Sequence, residues 1–125
     1  MKTKEKEFSF RERGASFRFA FNGIRAFFRQ EHNARIHFIA TIAAFFGAWW
    51  FGLSRNEIIS LVLVIGFVWS AEIFNTSIER IMDFIAGDFH PQVKLIKDIA
   101  AAAVLIAAFA AIVTGAIIFI PKIIA

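Results

Sequence analysis

The residues of this chain whose types and spacing could do chemistry lie at positions 72–83, which read EIFNTSIERIMD. Three acids and an amide interrupt the apolar half of the sequence there. At about 100° per residue, with Glu72 at zero, Asn75 falls at about −60°, Glu79 at about −20° and Asp83 at about +20°, so one helix face carries all four. Residues 58–71 just before them are apolar apart from Ser60 and Ser70, so the same helix must begin in lipid or in a dry core. A carboxylate on such a helix is costly to bury and is kept where it has a partner or a task. Oxygen donors of this kind suit Mg²⁺, which takes one or two carboxylates together with substrate phosphates. Glu72, in a low-dielectric position, suits a general base that takes a proton from a hydroxyl.

The elements that must position these residues follow from composition. In 125 residues, enough for one domain, 58% are hydrophobic and mean hydropathy is +0.64, which places the chain among membrane proteins. Cysteine is absent, excluding disulfides and thiolate metal sites. The expected architecture is all-α and integral to the membrane, a single domain with an N-terminal amphipathic surface helix and three transmembrane helices. After a charged tail at residues 1–7, residues 8–31 form the surface helix. With Arg18 at zero, Asn22, Arg25 and Arg29 lie within about 40° of it, while Phe17, Phe21, Ile24 and Phe28 gather on the side. Glu31, extrapolated on the same wheel, lands on the apolar side and calls for a cation or a metal ion. Residues 36–53 are the first span, ended by the aromatic belt of Trp49, Trp50 and Phe51. Ser54 or Asn56 could cap the second span, residues 57–86. On that span Glu72 sits about 21 Å below the start, Glu79 about 32 Å and Asp83 about 38 Å, against a hydrocarbon core of about 30 Å. The stripe therefore runs from inside the membrane to its surface. After a turn around Gly87, Asp88 and His90, residues 94–120 form the third span, opened by Lys94, Lys97 and Asp98 and ended by Pro121 and Lys122. Its alanines, Ala100 to Ala103 with Ala107, Ala108, Ala110 and Ala111, suit close helix contact.

Formal charge is +4, and nine of the fourteen Lys and Arg residues lie in positions 1–35. By the positive-inside rule the N-terminus is cytoplasmic and the C-terminus outside. The basic arm shares its helix with a stripe of Phe and leads into apolar spans, which argues for lipid and against nucleic acid as its partner. No signal peptide is expected, since the first apolar run comes late and no small-residue cleavage site follows it. Three spans make a thin bundle, and oligomerisation is the expected remedy for a polar stripe that would otherwise face lipid. Lys97 and the arginines suit phosphate. Phosphoryl transfer to a lipid alcohol would use all these parts.

The run Glu72-Ile-Phe-Asn75-Thr76-Ser77-Ile78-Glu79 with Asp83, then His90, then Lys97-Asp98-Ile-Ala-Ala-Ala-Ala-Val104, resembles the prokaryotic diacylglycerol kinase family. Gly23-Ile-Arg25-Ala and Glu31 match that family's surface helix, and the resemblance covers roughly residues 16–111. These are small three-helix membrane enzymes that phosphorylate diacylglycerol or, in many Gram-positive members, undecaprenol. The resemblance implies ATP as co-substrate, Mg²⁺ as cofactor, a homotrimer with active sites shared between subunits, and the bacterial cytoplasmic membrane. It makes Glu72 the catalytic base and Glu31 and Glu79 metal ligands, with Asn75 alongside. It makes Phe19, Glu31, Glu79, Asp88, His90, Lys97 and Asp98 contacts of ATP. No Walker A sequence is present, and the family does not use one. Two positions depart: Phe19 stands where the diacylglycerol-specific members have Tyr, and His37 where they have a second Glu. The stretch from Glu31 to His37 looks more like the undecaprenol-kinase branch.

Blander readings stand beside these. Intramembrane Asn often simply joins helices. Asp83 could support the turn or pair with Arg80, and Asp98 suits a first helical turn without any ligand. His90 taken alone reads as a loop residue, and His32 and His37 show no metal partner. The alternative function, a small transport or proton-relay protein, would account for Glu72 but leaves Lys97, Asp98 and the basic arm without roles. A purely structural membrane oligomer is a third reading.

Overall fold

The computed structural model describes residues 7–125. Among them the chain forms four helices, α1 (Phe10–Gln30), α2 (His32–Phe51), α3 (Arg55–Ile85) and α4 (Pro91–Ile124), and no strand. The last three are each long and apolar enough to cross a membrane. The protein is thus an all-α membrane protein, as its composition requires. Of the charged N-terminal tail, residues 1–6 lie outside the described part. Contacts divide the chain into two compact units, Met1–Arg35 and Ile36–Ala125.

In the first unit Ser9 caps α1. Its Oγ accepts the Glu12 N–H at 3.4 Å and its carbonyl accepts the Arg13 N–H at 3.1 Å. Phe8 meets Phe10 edge-on, with ring centroids 5.0 Å apart, and the Arg13 guanidinium stands 5.8 Å from the Phe8 ring. The other end departs from the wheel. Glu31 is extended, at φ −113° and ψ 121°, and donates its N–H to Phe27. Its own carbonyl then receives the Ala34 N–H at 3.3 Å, and α2 starts at His32, four residues before the expected Ile36. Glu31 is therefore the joint between two helices, and the apolar-side position extrapolated from α1 does not apply to it.

In the second unit the turn between α2 and α3 is fixed by local chemistry. Gly52 adopts φ +61°, a left-handed conformation that costs glycine nothing. Its N–H reaches the Trp49 carbonyl and the Leu53 N–H reaches that of Ala48, the paired bonds of a Schellman motif. Two residues on, Ser54 and Glu57 form a capping box: Ser54 N–H donates to Glu57 Oε1 at 3.0 Å and Glu57 N–H to Ser54 Oγ at 3.3 Å. Such a cap stabilises a helix by about 1 kcal/mol. Ser54, and not Asn56, is thus the cap, and Asn56 lies within the helix. At its far end α3 stops at Ile85, and the carbonyl of Met82 receives the Ala86 N–H.

Pro91 is the first residue of α4, where its fixed φ fits and its missing N–H is not needed. His90 caps it, with Nδ1 accepting the Gln92 N–H at 3.1 Å. Pro121 does not end the helix: α4 runs on to Ile124. So close to the terminus, Pro121 forfeits one backbone bond and leaves little helix beyond it to disturb.

The broadest helix contact is between α3 and α4. They run antiparallel: Glu57 bonds Lys122 at 3.3 Å, Leu61 shares a buried cluster with Ile118, and Asp83 bonds Lys97. From Glu57 to Asp83 α3 advances 26 residues while α4 retreats 25 from Lys122 to Lys97, so the two helices keep step to within one residue. Ala107 and Ala111, with Gly115, recur every fourth residue along the face of α4 toward α3, and Ala107 is fully buried. Small residues at that spacing let helix backbones approach closely in lipid. The run Ala101 to Ala103, by contrast, is exposed. Leu53, Leu61 and Ile118, with Ala44, Ala48 and Phe119 around them, join all three spans near the α2–α3 turn. Gly47 of α2 faces Phe119 there, and a Cβ on Gly47 would lie 3.1 Å from the ring.

Candidate active site

The length of α3 decides where its acids sit. Thirty-one residues of helix extend about 46 Å, well beyond a hydrocarbon core of about 30 Å. α2, with 20 residues, spans about 30 Å. Because the tight turn at Gly52 to Ser54 aligns the two at one end, α3 outruns α2 at the other. The acidic stripe occupies the stretch that passes from alongside α2 to beyond it.

Glu72 is the most enclosed charged side chain of this stripe, at 6% exposure. Its Oε1 lies 2.7 Å from Nε2 of His37 on α2. One helical turn further along α2, Thr41 Oγ1 accepts the indole N–H of Trp69 at 3.0 Å and donates to the His37 carbonyl at 2.7 Å. The Trp69 ring lies against the His37 imidazole, centroids 6.1 Å apart and tilted by 60°. His37 and Thr41 from α2, with Trp69 and Glu72 from α3, close a small polar network. Next to it opens an apolar cleft between the three spans, lined by Ala44, Ile65, Val68, Ala111, Ile112 and Phe119. Glu72 stands out in the sequence, where His37 shows no metal partner and nothing marks Thr41 or Trp69 as its neighbours. The available signal was the isolation of His37 and Thr41 in an otherwise apolar span, which requires each to find a bond.

Lower on α3, Asn75 Nδ2 donates to Glu79 Oε1 at 3.3 Å, while Asn75 Oδ1 is buried without a hydrogen-bond partner. An orphaned amide oxygen beside a carboxylate is a donor set of the kind a hard divalent cation takes. Among the described residues no three His, Asp or Glu side chains converge on one point, and Asn75 and Glu79 are the two neighbouring oxygen-bearing side chains on this part of α3.

At the base of the hairpin, Asp83 pairs with Lys97 of α4, Oδ1 to Nζ 2.5 Å. Asp98 in turn bonds Lys94 at 2.6 Å, one turn back on its own helix. Lys97 and Asp98 therefore each hold a partner other than one another. His90 accepts at Nδ1, which leaves the neutral ring's proton on Nε2. Asp88 is exposed in the turn between α3 and α4. These four residues share the end of the α3–α4 pair toward which the stripe runs. Phe19, 66% exposed on α1, and Glu31 belong to the first unit.

A sequence model of the prokaryotic diacylglycerol kinase family matches residues 18–119. The chain belongs to that family. It is a family of lipid kinases, and the match takes in α2, α3 with the whole stripe, and most of α4. Undecaprenol kinase of Bacillus subtilis is 37% identical over 107 residues, which is 86% of this chain and 87% of that protein. Diacylglycerol kinase of Synechocystis is 35% identical over 107 residues, 85% of this chain but 61% of that longer protein. Diacylglycerol kinase of Escherichia coli K12 is 30% identical over 100 residues, covering 80% and 82%. The family's kinases thus carry names from two lipid alcohols, and this chain resembles both sets to a similar degree.

Proposed function

We propose that this protein transfers the γ-phosphoryl group of ATP directly to the hydroxyl of a membrane lipid alcohol, diacylglycerol or undecaprenol. The observation that carries the reading is Glu72, a carboxylate enclosed among membrane-spanning helices at the head of a stripe of oxygen donors that leads out of the membrane. A lipid hydroxyl at the interface and a phosphate in water could meet along that face.

In this reading Glu72 removes the proton of the lipid hydroxyl as its oxygen attacks the γ-phosphorus in line with the leaving group. The new bond joins the lipid oxygen to phosphorus, the bond to the β-phosphate oxygen breaks, ADP departs, and the proton rests on Glu72. Glu79 and Asn75 of α3, with Glu31, would hold Mg²⁺. The bound ion would offset charge on the phosphates. Lys97 supplies a cation for the phosphates, released from Asp83 as nucleotide arrives, and His90 offers its Nε2 proton. Asp88, Asp98 and the ring of Phe19 complete the nucleotide contacts. The extensively exposed apolar surface of the spans suits lipid and neighbouring subunits, here in a homotrimer with the basic N-terminal helix at the cytoplasmic surface.

The deciding experiment is transfer from labelled ATP by the purified protein in mixed micelles offering diacylglycerol and undecaprenol in parallel, with and without Mg²⁺. Magnesium-dependent label in one lipid supports the reading and names the substrate. Label in neither lipid overturns it.

A further inference from the structure

Glu72 could be presented to a substrate in many ways, because a glutamate has three rotatable bonds and a carboxylate has two equivalent oxygens. Here the choice is made by α2. Nε2 of His37 lies 2.7 Å from Oε1, so the imidazole N–H engages one oxygen and leaves Oε2 as the proton acceptor. His37 is itself held on two sides. The Trp69 ring packs against the imidazole. Trp69 is tied through its indole N–H to Thr41, whose hydroxyl bonds the backbone carbonyl of His37. Thr41 thus links the ring that braces the histidine to the backbone that carries it. At this level α4 contributes apolar residues, Ala111 and Ile112, to the cleft that His37, Thr41 and Trp69 also line.

We infer that His37 is the positioning residue of the catalytic base, and that Thr41 and Trp69 are its buttress. The inference rests on the kinase reading, in which Glu72 is the base. A carboxylate that must accept a proton from a hydroxyl in a fixed line of attack loses rate when it can swing, because the reacting atoms spend less time in the productive geometry. His37 touches Glu72 and not the reacting phosphate, so its removal should appear in kcat and leave nucleotide affinity alone.

The test compares four variants in the mixed-micelle assay at saturating lipid, with ATP affinity measured separately by calorimetry. His37→Leu removes the donor and should lower kcat by about 10- to 100-fold, the loss expected for one hydrogen bond to a charged group. KM for ATP should change less than about twofold, since uniform binding is untouched. His37→Gln places an amide N–H close to the position of Nε2 and should recover most of the lost rate. Trp69→Phe keeps an aromatic brace but drops the indole donor, and should cost less than His37→Leu. Glu72→Gln separates the two levels of the argument. If Glu72→Gln is inactive while His37→Leu turns over like the parent, the base stands and its positioning by His37 is wrong. If Glu72→Gln is active, the kinase reading of the site fails and the inference falls with it. Equal losses in His37→Leu and His37→Gln, with both proteins running as the parent oligomer on size exclusion, would also overturn it, because a positioning role is met by any well-placed donor.

Discussion

Exchange of Glu72 for glutamine is the sharpest probe of this site, because the surroundings let the substitution remove one property at a time. Glutamine matches glutamate in length and shape, and its amide oxygen can still accept the bond that His37 Nε2 makes at 2.7 Å. At 6% exposure the side chain has little room to move elsewhere. What vanishes is a negative charge and a proton acceptor. Stability should change little: the bond weakens by about 1 kcal/mol on becoming neutral, while a buried charge no longer has to be desolvated, and the two effects oppose. Turnover should change greatly. A general base is worth about 10² to 10⁴ in rate, or about 2.7 to 5.4 kcal/mol of barrier. Expected, then, is a kcat at least 100-fold below the parent, with KM for ATP and the thermal midpoint close to parental values. Lipid phosphate formation at saturating ATP, beside calorimetric ATP binding, measures both. Turnover within about threefold of the parent would refute the assignment, since general-base effects are not that small.

Other sites give independent checks. Glu79→Gln should raise the Mg²⁺ concentration needed for half-maximal activity by about tenfold or more, the lower range for loss of a charged ligand, and an unchanged magnesium titration would remove Glu79 from the ion's ligands. Lys97→Met should raise KM for ATP by a similar factor, whereas Asp83→Asn should cost under about 1 kcal/mol of stability because the pair is well exposed; denaturant titration in detergent reads the second effect. Gly52→Ala should destabilise by about 1 kcal/mol, since φ +61° is strained for any residue with a Cβ, and a parental midpoint would contradict the Schellman turn. Gly47→Leu should cost about 1 to 3 kcal/mol through the clash with Phe119, which the same titration would show.

The part of this site that lies on one helix was legible in the sequence. Glu72, Asn75 and Glu79 share a face because helical periodicity places them there, and the apolar run before them fixes which end is dry. Relations between helices were not legible. That Glu72 meets His37 depends on how far α2 and α3 are offset, and the offset is set by the Gly52 turn and the Ser54 box, not by the periodicity of either helix. For the same reason Asp83 suggests Arg80, a neighbour in sequence, and gives no sign of Lys97, its partner across the hairpin. Glu31 escaped the helical wheel because one extended residue resets the phase, and nothing in its side chain announces that break. Pro121 misleads as well: it reads as a stop, yet it sits within the last turn of α4.

The ion pairs that close the α3–α4 hairpin at both ends, Glu57 with Lys122 and Asp83 with Lys97, restrict how such a chain can change length. Losing or gaining a single residue between Glu57 and Asp83 would turn everything beyond it by about 100° and shift it by about 1.5 Å. Placed before Glu72, such a change would rotate the stripe away from His37 on α2. Insertions and deletions should accumulate in the turn after Ile85, beyond Lys122 and ahead of the spans, where no second fastening has to be satisfied. A membrane hairpin fastened at both ends behaves like a reading frame: a substitution is felt where it falls, whereas an added residue is felt by everything after it.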